Sequence, residues 1–85
     1  MTLRLRPGVS TADTAYGAVL LDEQSGDYWQ LNPTAASTVR RLTGGDSTAQ
    51  AAAALAEEFG VDPARALEDV TTLVEQLRAA RLVRP

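Results

Sequence analysis

Two dipeptides, Asn32-Pro33 and Asp62-Pro63, set most of what this chain can fold into. An Asn or Asp side chain accepts a hydrogen bond from the free N–H groups of a helix's first turn. Pro at the next position holds φ at a helical value and lacks an N–H that would go unpaired there anyway. Inside a helix, or in a central strand, the same proline would remove a backbone bond. Each dipeptide therefore starts a helix and stops any other element from running through it. Before Asn32 the chain reads as strands; after it the apolar residues recur at helical spacing.

In the first part, Leu3 and Leu5 alternate with Arg4 and Arg6, which predicts a half-buried first strand ended by Pro7-Gly8. The run from Tyr16 to Leu21 is apolar on both faces, as a central strand is. Asp22 to Gly26 (DEQSG) reads as a hairpin turn, and Asp27 to Leu31 returns as a third strand. In that strand Trp29 and Leu31 share one face, and Tyr28 and Gln30 the other.

The first helix is predicted from Pro33 to Leu42, with Ala36, Val39 and Leu42 inward. Thr43 to Asp46 is a loop. Ser47 or Thr48 caps a second helix that runs to Phe59, where Gly60 stops it. The third helix runs from Pro63 to Ala80, and Ala66, Leu67, Val70, Leu73, Val74 and Leu77 form its apolar stripe. Leu82 and Val83 should fold back onto the core. The order predicts an α+β fold in one domain spanning residues 1–85. A three-stranded antiparallel sheet is followed by three helices on one of its faces, winged-helix-like with the sheet placed first.

Composition narrows the chemistry. The chain has no Cys and no His, so thiol nucleophiles, imidazole bases, disulfides and the common zinc and iron ligands are excluded. Six of its eleven carboxylates fall in the adjacent pairs Asp22-Glu23, Glu57-Glu58 and Glu68-Asp69, whose members point different ways on a helix or strand. No Ser lies in a nucleophile elbow, and Gly44-Gly45 lacks the lysine and spacing of a phosphate loop. No catalytic residue, metal ligand or cofactor site is expected. The formal charge of −3 disfavours nucleic acid. The third helix sets Arg65 and Arg78 among Glu68, Asp69 and Glu75. No apolar run has signal-peptide or membrane-spanning length, and the missing cysteines fit the cytoplasm.

Protein–peptide recognition remains. The third strand leads straight into a helix, which places it at a sheet edge, and it carries no internal Lys or Pro to blunt that edge. Two readings stand on pattern alone. Trp29 and Leu31 are ordinary core beside an idle edge, or the edge takes up an extended peptide as a fourth strand.

The run Gly26 to Asn32 (GDYWQLN) leading into Pro33-Thr34-Ala35-Ala36, followed by Asp69-Val70, Leu73-Val74, Leu77 and Leu82-Val83, resembles the PqqD-like domains, or RiPP recognition elements. The likeness spans Leu3 to Val83, and the Tyr28 to Ala35 run is most similar to the stand-alone leader-binding B proteins of lasso peptide biosynthesis. The resemblance implies a peptide chaperone that binds the leader of a ribosomally made precursor, antiparallel to the third strand and against the third helix. The docking edge would be Asp27, Tyr28, Trp29, Gln30 and Leu31. The wall would be Asp69, Leu73 and Gln76, with Val70 and Leu77 behind. Around an ideal helix Asp69 and Leu73 fall on one flank of a stripe centred on Val70, and Leu67 and Arg78 on the other. Which flank meets the strand comes from the family. Leu73 and Asp69 fit solvent-side packing as well as contact, and Val70 and Leu77 fit plain core. The implied partners are a transglutaminase-like leader peptidase and an asparagine-synthetase-like cyclase, with no nucleic acid and no membrane. The alternatives are a PqqD-type chaperone of quinone-cofactor biosynthesis and a small winged-helix DNA-binding regulator.

Overall fold

The computed structural model describes residues 3–84. Three strands, β1 (Val9–Thr14), β2 (Gly17–Asp22) and β3 (Tyr28–Leu31), precede three helices, α1 (Pro33–Thr43), α2 (Thr48–Phe59) and α3 (Pro63–Ala79). The sheet is antiparallel in the order β1-β2-β3, so the apolar run is the central strand and β3 lies at an edge.

The predicted first strand is corrected. Leu3 to Arg6 does not join the sheet. Leu5 makes an isolated antiparallel bridge with Val83, flanked by Arg6 N–H donating to the Leu82 carbonyl (2.9 Å) and Arg84 N–H to the Arg4 carbonyl (2.8 Å). The alternation is a true sign of extended chain, but its partner is the C-terminal tail. The sheet strand is Val9–Thr14, whose sequence VSTADT carries no apolar alternation because four of its six residues are exposed. Pairing with β2 and the strand preference of Val and Thr hold it there.

The β1–β2 turn closes at Gly17, whose φ of +148° suits only glycine. A Cβ there would also collide with the Leu31 carbonyl oxygen across the sheet. The β2–β3 turn follows the predicted DEQSG segment. Asp22 Oδ1 accepts from the backbone N–H of Gln24 (3.0 Å), and Gly26 N–H donates to the Asp22 carbonyl (2.8 Å).

The helix starts are those the caps dictate. Asn32 Oδ1 accepts from Ala35 N–H at 2.8 Å; Ser47 and Gln50 form a reciprocal capping box; Asp62 Oδ2 accepts from Ala64 and Arg65 N–H. Gly60 ends α2 in the left-handed region. On one face of the sheet Ala18, Leu20 and Leu31 are buried against Ala36, Val39, Leu42, Leu55, Ala66, Val70 and Leu77, and Leu82 and Val83 close the core as expected. The predicted stripe of α3 is too wide by one residue: Leu67 is 45% exposed. No helix among the described residues is long and apolar enough to cross a membrane.

Candidate functional site

Hydrogen-bond parity along the sheet fixes what β3 offers. In an antiparallel pair each residue directs its N–H and C=O to one side, and the side alternates along the strand. Glu23 N–H bonds the Gly8 carbonyl at 2.8 Å, and Asp22 N–H bonds the Asp27 carbonyl at 2.9 Å. Extended through the registers, Gly17, Val19 and Leu21 bond β1, while Ala18 and Leu20 bond Leu31 and Trp29. Tyr28 and Gln30 therefore turn their N–H and C=O groups away from β2. Outside the ladders, no backbone bond among the described residues reaches them. The open edge presents two donors and two acceptors.

No Cα of β3 comes within 8 Å of a Cα of α3, although both elements pack on α1. A cleft of about 380 Å³ lies where β3 ends, lined by Asn32, Thr34, Ala35, Thr38, Leu55, Val61, Asp69 and Leu73. It brings the Asp69–Leu73 flank of α3 beside the residue that follows β3. Trp29 stands opposite Leu20 and shares its face. Leu20 is fully buried, whereas Trp29 is 43% exposed, an indole on the core side of the sheet that the helices only partly cover.

The ten residues singled out in the sequence separate by burial. Asp27, Tyr28, Trp29, Gln30, Asp69 and Gln76 are exposed, and Leu73 is half-buried. Leu31, Val70 and Leu77 are core, at 6%, 1% and 2% exposure. Asp27 precedes β3 and closes its ladder through the carbonyl bonded to Asp22. Asp69 is held by Arg65 one turn earlier, at 3.6 Å. Thr34, Thr38, Leu55 and Val61 line the cleft without having been expected there. Thr38 gives no sign of it in sequence, because its hydroxyl is spent on the Thr34 carbonyl (2.8 Å) inside α1. Among the described residues no group of His, Cys, Asp and Glu could hold a metal ion. The site offers backbone pairing, an indole and a cleft lined by apolar and polar side chains alike, which suit an extended peptide.

Comparison with known proteins fits this geometry. The family model for coenzyme PQQ synthesis protein D (PqqD) matches residues 17–83. A solved chain described as lasso peptide synthetase B1 complexed with the leader peptide is 46% identical. The match covers 100% of both chains with a TM-score of 0.93. A second, described as TbiB1 in complex with the TbiA(beta) leader peptide, is 22% identical over 95% of this chain and 94% of the other. Its TM-score is 0.84, and at that identity it extends the likeness of fold alone. No curated protein matches the chain.

Proposed function

The chain belongs to the PqqD family, and from that premise we propose that it binds the leader segment of a ribosomally made precursor peptide, of the lasso class, by strand addition. The leader pairs antiparallel with β3 through Tyr28 and Gln30 and packs side chains on Trp29 and into the Asp69–Leu73 cleft. The observation that carries this reading is the open edge of β3, which ends at the cleft bearing Asp69 and Leu73, with the indole of Trp29 exposed on the core side.

The energetics require both parts. Four edge hydrogen bonds at about 0.5–1.5 kcal/mol each supply roughly 2–6 kcal/mol. Association and ordering of a flexible segment cost at least about 4 kcal/mol. Backbone pairing alone therefore leaves little affinity, and apolar anchors in the groove supply the rest. Gln76 borders the groove, while Val70, Leu77 and Leu31 support it from the core.

The protein carries out no reaction of its own and needs no cofactor. It raises the effective concentration of the precursor beside a transglutaminase-like leader peptidase, ahead of ring closure by an asparagine-synthetase-like cyclase. These steps take place in the cytoplasm. The PqqD match favours a second reading, a chaperone that presents a peptide to the radical enzyme of quinone-cofactor synthesis. The 46% identity to a lasso synthetase component supports the first. Calorimetric titration with the leader of the precursor encoded beside this gene tests the proposal. Submicromolar binding with the peptide recovered intact is expected. Absence of binding, or cleavage by this chain alone, refutes it.

A further inference from the structure

The basic residues of this acidic chain are unevenly placed. Arg40, Arg41 and Arg65 each hold a carboxylate, on Asp13 (3.4 Å), Asp46 (3.5 Å) and Asp69 (3.6 Å). The remaining five of the eight, Arg4, Arg6, Arg78, Arg81 and Arg84, gather where the Leu5–Val83 bridge meets the end of α3. There only Arg6 is paired, with Asp22 at 3.3 Å. Arg4, Arg78, Arg81 and Arg84 have no carboxylate partner among the described residues. Arg6, Arg78 and Arg81 rim a cleft of about 380 Å³ whose floor is Val83.

A second observation concerns Arg81. It is the one non-glycine residue with positive φ among those described, at +60°. The Leu82 N–H bonds the Leu77 carbonyl and the Arg81 N–H bonds the Arg78 carbonyl, both at 3.0 Å. This is a Schellman ending, and its left-handed position normally belongs to glycine. An arginine there is held in a backbone region that L side chains disfavour. The strained position puts a guanidinium on the rim of the basic cleft.

We propose that the Arg6–Arg78–Arg81 cleft is a docking surface for a carboxylate-rich segment of a partner protein. The cleft has room for a few side chains. The formal charge of −3, with Glu68, Asp69 and Glu75 along the same helix, opposes a long polyanion and leaves a short acidic segment as the occupant. Arg78 lies on the flank of α3 opposite Asp69 and Leu73, so the cleft stays open when the β3 edge is filled. The surface is independent of the leader groove, and its test does not need the leader.

The experiment titrates the isotope-labelled protein with a hexaglutamate peptide while following backbone amides. Shifts should concentrate at Arg6, Arg78, Arg81 and Val83, and affinity should fall about fivefold or more between 50 and 300 mM salt as screening shortens. Arg81→Gly should raise the thermal midpoint by about 4 °C, because it relieves the left-handed residue, and weaken hexaglutamate binding about fivefold. Arg78→Gln should weaken binding at unchanged midpoint, and Arg81→Lys should keep most of it. The proposal is overturned by shifts that are absent or scattered, or by Arg81→Gly and Arg78→Gln leaving affinity unchanged. It is also overturned if inorganic phosphate at equal charge reproduces the shifts, or if a short DNA duplex binds more tightly than the peptide.

Discussion

Trp29 is the sole tryptophan of the chain, and it stands where a strand added to β3 would cover it. A large aromatic side chain buries up to about 250 Å². At 43% exposure, Trp29 therefore leaves about 100 Å² for a ligand to remove from water. At ~25 cal/mol per Å² that area is worth about 2.5 kcal/mol, or close to 70-fold in Kd if fully covered. Trp29→Ala should therefore weaken leader binding by about 30–100-fold. The part of the indole already covered, about 150 Å², contributes to stability, so the variant should also lose about 3–4 kcal/mol. A domain of this size holds roughly 4–13 kcal/mol, and the variant stays folded. Calorimetry at a temperature where circular dichroism shows the native fold reads the affinity. The unaltered protein supplies a second readout, because its tryptophan emission should move to shorter wavelength as leader is added. If calorimetry shows saturation while the emission does not move, or if folded Trp29→Ala binds as tightly as its parent, the peptide does not lie over the core side of β3.

Three further outcomes test the same frame. Leu73→Glu should cut binding more than tenfold while the circular dichroism spectrum is kept, since a charge would sit unpaired where leader side chains dock; loss of the fold would assign Leu73 to the core. On leader binding the amides of Tyr28 and Gln30 should gain hydrogen-exchange protection while those of Trp29 and Leu31, already in the ladder, change little. A leader N-methylated at a pairing position should bind far more weakly, and protection confined to α3 would instead mean a helical ligand. Gly17→Ala should destabilise the protein by more than about 2 kcal/mol in a denaturant titration, because a Cβ at positive φ would strike the Leu31 carbonyl; an unchanged midpoint would refute the turn geometry.

Features set by near neighbours in the chain are legible in the sequence itself. Asn32, Ser47, Asp62 and Gly60 act within one helical turn, so all three helix starts and the end of α2 follow from residue type. Features set by distant partners are not. Leu3 to Arg6 carries the right alternation, but nothing local says that its mate is the tail around Val83 and not β2. The strand Val9–Thr14 hides because it is exposed and polar, and it owes its place to the register with β2. Leu67 fits the α3 stripe by angle, yet the packing against α2 does not extend far enough around the helix to cover it. The site divides the same way. That β3 ends at a helix suggests an edge. Which of its amides are open depends on the parity fixed by Asp22 and Glu23, and the exposure of Trp29 depends on how far the helices extend over the sheet.

The bridge between Leu5 and Val83 joins residues near opposite ends of the chain. It closes a longer loop than either hairpin, and loop-closure entropy grows with length. The hairpins and the helix pairs form from sequence neighbours, so the bridge comes together after them in folding. Its backbone pairing is a single ladder step with two flanking bonds, and burial of Leu3, Leu82 and Val83 in the core anchors both tails. None of the residues at the β3 edge or in the cleft beside α3 belongs to it. The contact that closes the longest loop is thus separate from the groove proposed to take the peptide.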